Sequence, residues 1–273
     1  MRPRRPWLLD ELRARYEHPL EVRAYARQVP GGLLPEEAAL LARVAPTPCP
    51  ALALGCGAGR EVFALAESGF PTTGADISAA MLAAARRIEA ARRGRAKAPI
   101  HWVWMPDPLS LPFPDGSFGL VTALAQLLSH IPGRAERIAL LSEAARVLVP
   151  GGILVATFTD RQAAADLLTP GGGGVPAGAP PHSSSETDDP ARENSFAALE
   201  REAGWEEGDI LVWHPSEAEI DEPLFFHLHT REEVARELEA AGFTGIEIYR
   251  AHDVTPTPLP DAHRYPFVVA RRP

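Results

Sequence analysis

Ala51-Leu52-Ala53-Leu54-Gly55-Cys56-Gly57-Ala58-Gly59-Arg60 is the stretch that decides the fold, read together with Thr72-Thr73-Gly74-Ala75-Asp76 downstream. Ala51 to Leu54 has the length and composition of a short, fully buried strand. Gly55, Gly57 and Gly59 follow as a turn that tolerates positive φ and lets a ligand lie against bare backbone. Glu61-Val62-Phe63-Ala64-Leu65-Ala66 then resumes with helical spacing. A strand, a glycine turn and a helix N-terminus make a nucleotide cradle, because the unpaired amides of the first helical turn face the ligand. Asp76, at the exposed end of the second strand-like run, is placed where ribose hydroxyls sit.

The glycine spacing narrows the nucleotide. A dinucleotide fingerprint needs G-x-G-x-x-G; this chain has G-x-G-x-G, with Arg60 at the position of the third glycine. A P-loop is excluded, since Gly-Lys-Ser/Thr does not occur. With Arg60 in place, the segment resembles the first motif of the class I S-adenosylmethionine (SAM)-dependent methyltransferases, L-D-L-G-C-G-x-G-R, and is most similar to the group that includes the quinone-biosynthesis C-methyltransferases. Four further segments carry the resemblance in order. Gly74-Ala75-Asp76-Ile77-Ser78 with Met81-Leu82 matches G-x-D-x-S-x-x-M-L, and Asp107-Pro108-Leu109-Ser110-Leu111-Pro112-Phe113 matches D-A-x-x-L-P-F. Asp115-Gly116-Ser117-Phe118 and Leu120-Val121 match D-x-S-F-D-x-V, except that Gly119 replaces the usual aspartate. Val147 to Leu154 matches the L-K-P-G-G-x-L turn before a fifth strand.

The resemblance implies SAM as cofactor and S-adenosylhomocysteine as product. Its cofactor positions fall here on Gly55, Cys56, Gly57, Gly59, Arg60, Asp76, Ile77, Met81, Asp107, Pro108, Ala123 and Leu124. It also implies an α/β, Rossmann-like, mostly parallel seven-stranded sheet with an antiparallel C-terminal hairpin. Patterning agrees: strands are predicted near 50–54, 72–76, 100–104, 118–123 and 152–158, alternating with helices near 59–68, 78–93 and 134–147. Thr230-Arg231-Glu232-Glu233 opens a last helix that Gly242 stops. The strand-like segments 244–251 and 264–271 are joined by too few residues for a crossover helix, so they pair antiparallel.

The expected organisation is a helical cap over residues 1–45 and a methyltransferase domain over 46–273, with an insertion at 160–229 before the last helix. The insertion holds a Gly/Pro/Ser-rich tract over 169–185, which reads as a linker, and strand-like runs at 209–214 and 224–229. Those runs either extend the sheet or fold over the cofactor as a lid.

Composition sets the partner class. The formal net charge of −9 lacks the basic footprint of a nucleic-acid binder, and the local run from Arg86 to Lys97 suits a helix C-terminus. No apolar run is long enough to span a bilayer, and no apolar signal core follows the basic Met1 to Pro6. Cys49 and Cys56 flank a buried strand and read as small hydrophobes, so a reducing cytoplasm is the expected location. The expected partner is a small-molecule methyl acceptor, with no nucleic acid, membrane or metal.

For chemistry, His130 in Gln126-Leu127-Leu128-Ser129-His130-Ile131-Pro132 follows the fourth strand, on the rim where open α/β sheets hold ligands. It is the candidate base; its alternative is a packing histidine without chemistry. His227 and His229, two apart on a strand, face one side and are candidate substrate contacts, as is Tyr25. Tyr16 joins Tyr25 as a candidate closure over the cofactor's methionine end, and Asp160 reads as a substrate contact or a helix cap. After Ala123 the chain shows neither Asn-Pro-Pro-Tyr nor Pro-Cys, which disfavours the DNA-adenine, protein-glutamine and cytosine C5 classes. The expected function is methyl transfer to O, N or C of a small molecule. The alternatives are a SAM-binding or regulatory module without catalysis and, third, an NAD-dependent oxidoreductase.

Overall fold

The computed structural model describes residues 6–162, 164, 174–176, 206–212, 224–255 and 265–273. The tract 169–185, apart from 174–176, and positions 213–214 of the first insertion strand lie outside the described residues.

The chain begins with three helices, α1 (Pro6–Glu17), α2 (Pro19–Gln28) and α3 (Pro35–Val44). Each begins with proline, whose fixed φ suits a first helical turn and whose missing N–H is not needed there. Strands and helices then alternate: β1 (Ala51–Leu54), α4 (Arg60–Glu67), β2 (Thr72–Asp76), α5 (Ala79–Ala91), β3 (Ile100–Trp104), β4 (Phe118–Ala123), α6 (Arg134–Val147) and β5 (Leu148–Thr157). After the insertion come α7 (Arg231–Ala240), β9 (Thr244–Tyr249), α8 (Ala251–Val254) and β10 (Phe267–Arg271).

The main sheet has the order β3-β2-β1-β4-β5-β10-β9. It is parallel from β3 to β5, while β10 runs antiparallel to both β5 and β9. β1 sits between β2 and β4 with all four residues buried, as a continuous apolar strand covered on both faces must be. The order reverses between β1 and β4, which places a crevice at their C-terminal ends, the usual ligand position of such sheets.

Two details differ from the sequence expectation. β5 starts at Leu148, because Val149 to Gly152 stay within the strand through an irregularity at Gly151, whose φ is 76°, and a register shift against β4. The β9–β10 connection, expected to have no helix, contains α8, started by Asp253 accepting the Arg250 amide at 2.9 Å.

The insertion does not extend the main sheet. Its described strands β6 (Gly174–Pro176), β7 (Asp209–Val212) and β8 (Leu224–His227) form a separate antiparallel sheet in the order β6-β7-β8. That small sheet is tied to the end of β5, where the His229 amide donates to the Thr159 carbonyl at 2.9 Å and the Arg161 amide to the His229 carbonyl at 2.8 Å. β8 packs against the single 3₁₀ turn Leu127–His130 that follows β4.

Candidate functional site

The glycine turn takes the conformation its composition requires. Gly55, Gly57 and Gly59 all have positive φ, at 63°, 52° and 93°. A Cβ on Gly59 would stand 2.5 Å from the Trp102 ring and 3.0 Å from that of Phe63, two rings that pack edge to face. Gly59→Ala therefore combines a left-handed backbone with overpacking, and is expected to cost about 2–4 kcal/mol in urea denaturation. A loss below about 1 kcal/mol would show that the turn relaxes.

Asp76 holds this turn. Its carboxylate accepts the Gly57 amide at 2.7 Å and the Ser78 amide at 2.8 Å. The sequence reading placed Asp76 at an exposed strand end; it is buried, with 6% of its surface accessible. The reason is the cap, since α1 lies over this edge. Ser78 Oγ donates to the Tyr16 carbonyl at 2.9 Å, and Glu17 accepts the Ala79 amide at the start of α5 at 2.6 Å. Burial pushes the Asp76 carboxyl up to about 6, against the two amides that favour its ionised form. Glu61, in the first turn of α4, is also buried and is pushed up to about 7 although Thr122 donates to it at 2.8 Å.

The other expected cofactor positions fall into two groups. Ile77, Asp107, Pro108, Ala123 and Leu124 lie at or just beyond the C-terminal ends of β2, β3 and β4, around the crevice. Asp107 folds its carboxylate onto the Leu109 amide at 2.9 Å. The remaining three have side chains engaged in the protein. Cys56 lies buried beside Gly74 of β2, and Met81 is buried in the cluster beneath the cap. The Arg60 guanidinium pairs with both oxygens of Glu37 at 2.6 and 2.8 Å and with the Gly32 carbonyl at 2.9 Å, fastening α3 to α4.

Gly119, the departure from the family pattern, has a packing reason. A Cβ there would come within 2.7 Å of Cys49 Sγ, so the cysteine occupies the space a side chain would need.

Beyond β4 the backbone is strained. Ala125 and Gln126 both have positive φ, 52° and 57°, and the Gln126 amide is held by Thr157 Oγ1 at 2.8 Å. Non-glycine residues in this region persist where the surroundings over-determine them, and they cluster at ligand sites. This strain delivers Leu127 over the cradle, where its Cδ1 is 2.8 Å from the position of a Cβ on Gly55. His130 follows, buried, with Nδ1 3.2 Å from the Phe225 carbonyl. A carbonyl only accepts, so Nδ1 carries the proton and Nε2 presents its lone pair. Burial lowers the His130 pKa to about 4, which keeps the ring neutral near pH 7.

Tyr25 stands over Gly57, its Cδ1 3.3 Å from where a Cβ would be, and packs edge-on against Tyr16 at 5.6 Å. His227 and His229 do face one side, with ring centroids 4.5 Å apart, but both are buried against α6, α7 and the turn after β4. His227 Nδ1 meets Asp209 at 2.7 Å; His229 lies 3.5 Å from Ser129 Oγ and 5.9 Å from the Phe158 ring. Their neighbours include the buried ion pair of Arg137 and Glu237. His130, by contrast, meets Phe226, which lies on the opposite side of β8 from His227. Asp160 accepts the Gln162 amide at 2.9 Å, as a cap does, and pairs with Arg231.

Among the described residues, Glu206, Asp209 and His227 have the composition of a metal-binding group. Protein donors already engage them: Arg134 N and Arg137 donate to Glu206, and His227 bonds Asp209. No described helix is long and apolar enough to cross a membrane.

Comparison with known proteins agrees with this geometry. Residues 51–152 match the family described as methyltransferase domain. Over 106 residues the chain is 38% identical to the demethylmenaquinone methyltransferase of Tropheryma whipplei strain Twist, a match covering 38% of this chain and 39% of that protein. The chain thus spans about two fifths of the length of the curated relatives it matches. Among solved structures, a SAM-dependent methyltransferase from Methanosarcina mazei superimposes with a TM-score of 0.59 at 22% identity, covering 88% of this chain and 98% of that one. The 1,6-didemethyltoxoflavin-N1-methyltransferase of Burkholderia thailandensis, with bound 1,6-didemethyltoxoflavin and S-adenosylhomocysteine, gives 0.57 at 17%, covering 97% and 88%. At such identities a structural likeness establishes the fold. The chain has the class I methyltransferase fold, and its residues 51–152 carry the sequence of a methyltransferase domain.

Proposed function

We propose that the protein is a SAM-dependent methyltransferase acting on a small molecule. The observation that carries this is Asp76, a buried carboxylate fixed by the Gly57 and Ser78 amides beside a turn of three positive-φ glycines. The residues fit the cofactor: each carboxylate oxygen retains acceptor capacity for a ribose hydroxyl, and the bare glycines let a ligand approach the backbone. Ile77, Asp107 and Pro108 would border the adenine, Ala123 and Leu124 the far wall, and the backbone of Gly55 to Arg60 the methionine end. Cys56, Met81 and Arg60 support the cradle through packing and the cap.

When bound, SAM would supply a methyl already activated by its sulfonium, to be taken by the acceptor's lone pair while the carbon–sulfur electron pair stays with sulfur. The chain's task is alignment and exclusion of water, and positioning alone lowers such barriers by about 7–11 kcal/mol. His130 Nε2 accepts a hydrogen bond from the acceptor and orients it. A ring titrating near 4 is a weak base, so the proton of an O or N acceptor passes finally to water. Residues 6–45 act as a cap and the described strands of 160–229 as a wall above the crevice.

The test is transfer of label from methyl-labelled SAM into a metabolite extract of low molecular mass, separated from the protein afterwards. Label should appear in a small molecule with the native protein and be absent with Asp76→Ala. Tight SAM binding without labelled product in any extract would favour the module without catalysis.

A further inference from the structure

Four rings from four elements form a continuous wall above the end of β4. Tyr25 of α2 begins it over Gly57, and Tyr16 of α1 packs edge-on against Tyr25 at 5.6 Å. Tyr16 also meets the His130 ring edge-on at 6.2 Å, and Phe226 of β8 lies 4.5 Å from that ring at a tilt of 50°. Tyr16, Tyr25 and Phe226 each retain some accessible surface as residues, while the tyrosine hydroxyls are buried. Burial raises both tyrosine hydroxyls, so they are neutral.

Among the described residues, the charges that face this wall are acidic or paired. Asp76 lies beneath, Glu17 is at the end of α1, and Arg15 on the inner face of α1 is bound to Glu21 at 2.5 Å. Such a wall suits neither a carboxylate nor a phosphate, which would need an unpaired cation or a set of free amides. His130 adds a directional feature. Its Nδ1 is fixed on the Phe225 carbonyl, and among the described residues Nε2 has no hydrogen-bond partner. Nε2 therefore asks for a donor on the ligand.

We propose that Tyr16, Tyr25 and Phe226 form an aromatic clamp that selects a flat, uncharged aromatic acceptor carrying a hydroxyl or N–H for His130 Nε2. Aromatic faces and edges complement flat rings through offset and edge-on contacts that saturated rings do not offer. Phe226 comes from the insertion and Tyr16 from the cap, so the clamp exists only where these two additions meet over the common fold. It rests on the methyltransferase reading for the identity of the site.

The test uses three probes of one shape, 4-phenylphenol, biphenyl-4-carboxylate and 4-cyclohexylcyclohexanol, titrated into the intact protein saturated with S-adenosylhomocysteine. The phenol is expected to bind at least about tenfold more tightly than either other probe, a factor within reach of one aromatic contact. Phe226→Leu keeps an apolar side chain of similar length and should erase the preference over the saturated alcohol. Its affinity for S-adenosylhomocysteine should stay within about twofold of the native value, which also reports a folded cradle. His130→Phe should reduce binding of the phenol, whose hydroxyl loses its acceptor, and leave binding of the carboxylate, which has no donor, unchanged. Equal binding of phenol and saturated alcohol, tighter binding of the carboxylate, no binding of any probe, or an unchanged preference in Phe226→Leu would overturn the clamp. Failure of S-adenosylhomocysteine to bind the native protein would instead overturn the reading beneath it.

Discussion

Asp76→Ala is expected to weaken binding of SAM and S-adenosylhomocysteine by at least a hundredfold. Two charge-assisted hydrogen bonds to ribose hydroxyls are lost, each about 1.5–3 kcal/mol, or roughly tenfold or more apiece. The structure adds a second effect, because the Gly57 and Ser78 amides lose their acceptor and the glycine turn loosens. Leaving such buried amides unpaired costs about 1–3 kcal/mol, so the variant should also unfold at lower denaturant. Titration calorimetry and urea denaturation separate the two losses. An unchanged dissociation constant in the folded variant would place the ribose elsewhere.

The same carboxyl makes cofactor affinity depend on pH. Ribose hydroxyls donate to its ionised form, while burial holds the cofactor-free carboxyl near 6. Affinity should therefore be flat above about pH 7 and fall by up to about tenfold per unit below 6. Stability of the free protein runs the other way. A carboxyl raised in the folded state contributes stability that is present below the unfolded carboxylate range and lost as pH rises through 6. Glu61 adds to that loss as pH approaches 7. A cofactor affinity that is level from pH 5 to 8 would contradict the assignment of Asp76.

Arg137→Met is expected to be the most destabilising single change. Arg137 of α6 is 1% exposed and holds the buried Glu237 of α7 through Nε at 3.0 Å and Nη2 at 2.7 Å. It also holds Glu206, beside β7, at 2.9 Å. Removing one partner strands a buried carboxylate, at a cost of about 3–5 kcal/mol. Combining Arg137→Met with Glu237→Leu removes both charges and should recover most of the loss. Because Glu206 belongs to the insertion, the single variant should also loosen the small sheet, seen as faster amide exchange in β7 and β8. A loss under about 1 kcal/mol would mean that water replaces the arginine.

The parts of this fold that were legible in the sequence are those encoded over short distances. The β1–glycine–α4 unit needs only neighbouring residues, and the capping box of Thr230 and Glu233 announces α7 by itself. Pairings across the chain left no local signal. Arg60 reads as part of a cofactor motif, yet its partner Glu37 lies in the cap. Arg137 and Glu237 are a hundred positions apart, and so are Ser129 and His229. Alternation along β8 correctly put His227 and His229 on one face, but alternation does not say which face is inward. Phe226, on the other face, meets His130 and was not singled out in the sequence. His130 is a candidate by its position after β4, while the contact that fixes its tautomer, the Phe225 carbonyl, lies far away in sequence. Gly119 stands out in the sequence as a departure from the family pattern, and its packing reason, Cys49, lies seventy positions earlier.

A cradle with G-x-G-x-G spacing and Arg60 at the third glycine position should take an adenosyl sulfur compound and not a dinucleotide. Parallel calorimetric titrations of the intact protein with SAM, S-adenosylhomocysteine and NAD test it most directly. Saturable, near-stoichiometric binding of both adenosyl compounds is expected, competing for one site, with no heat from NAD at the same concentrations. Saturable NAD binding together with no response to either adenosyl compound would contradict it.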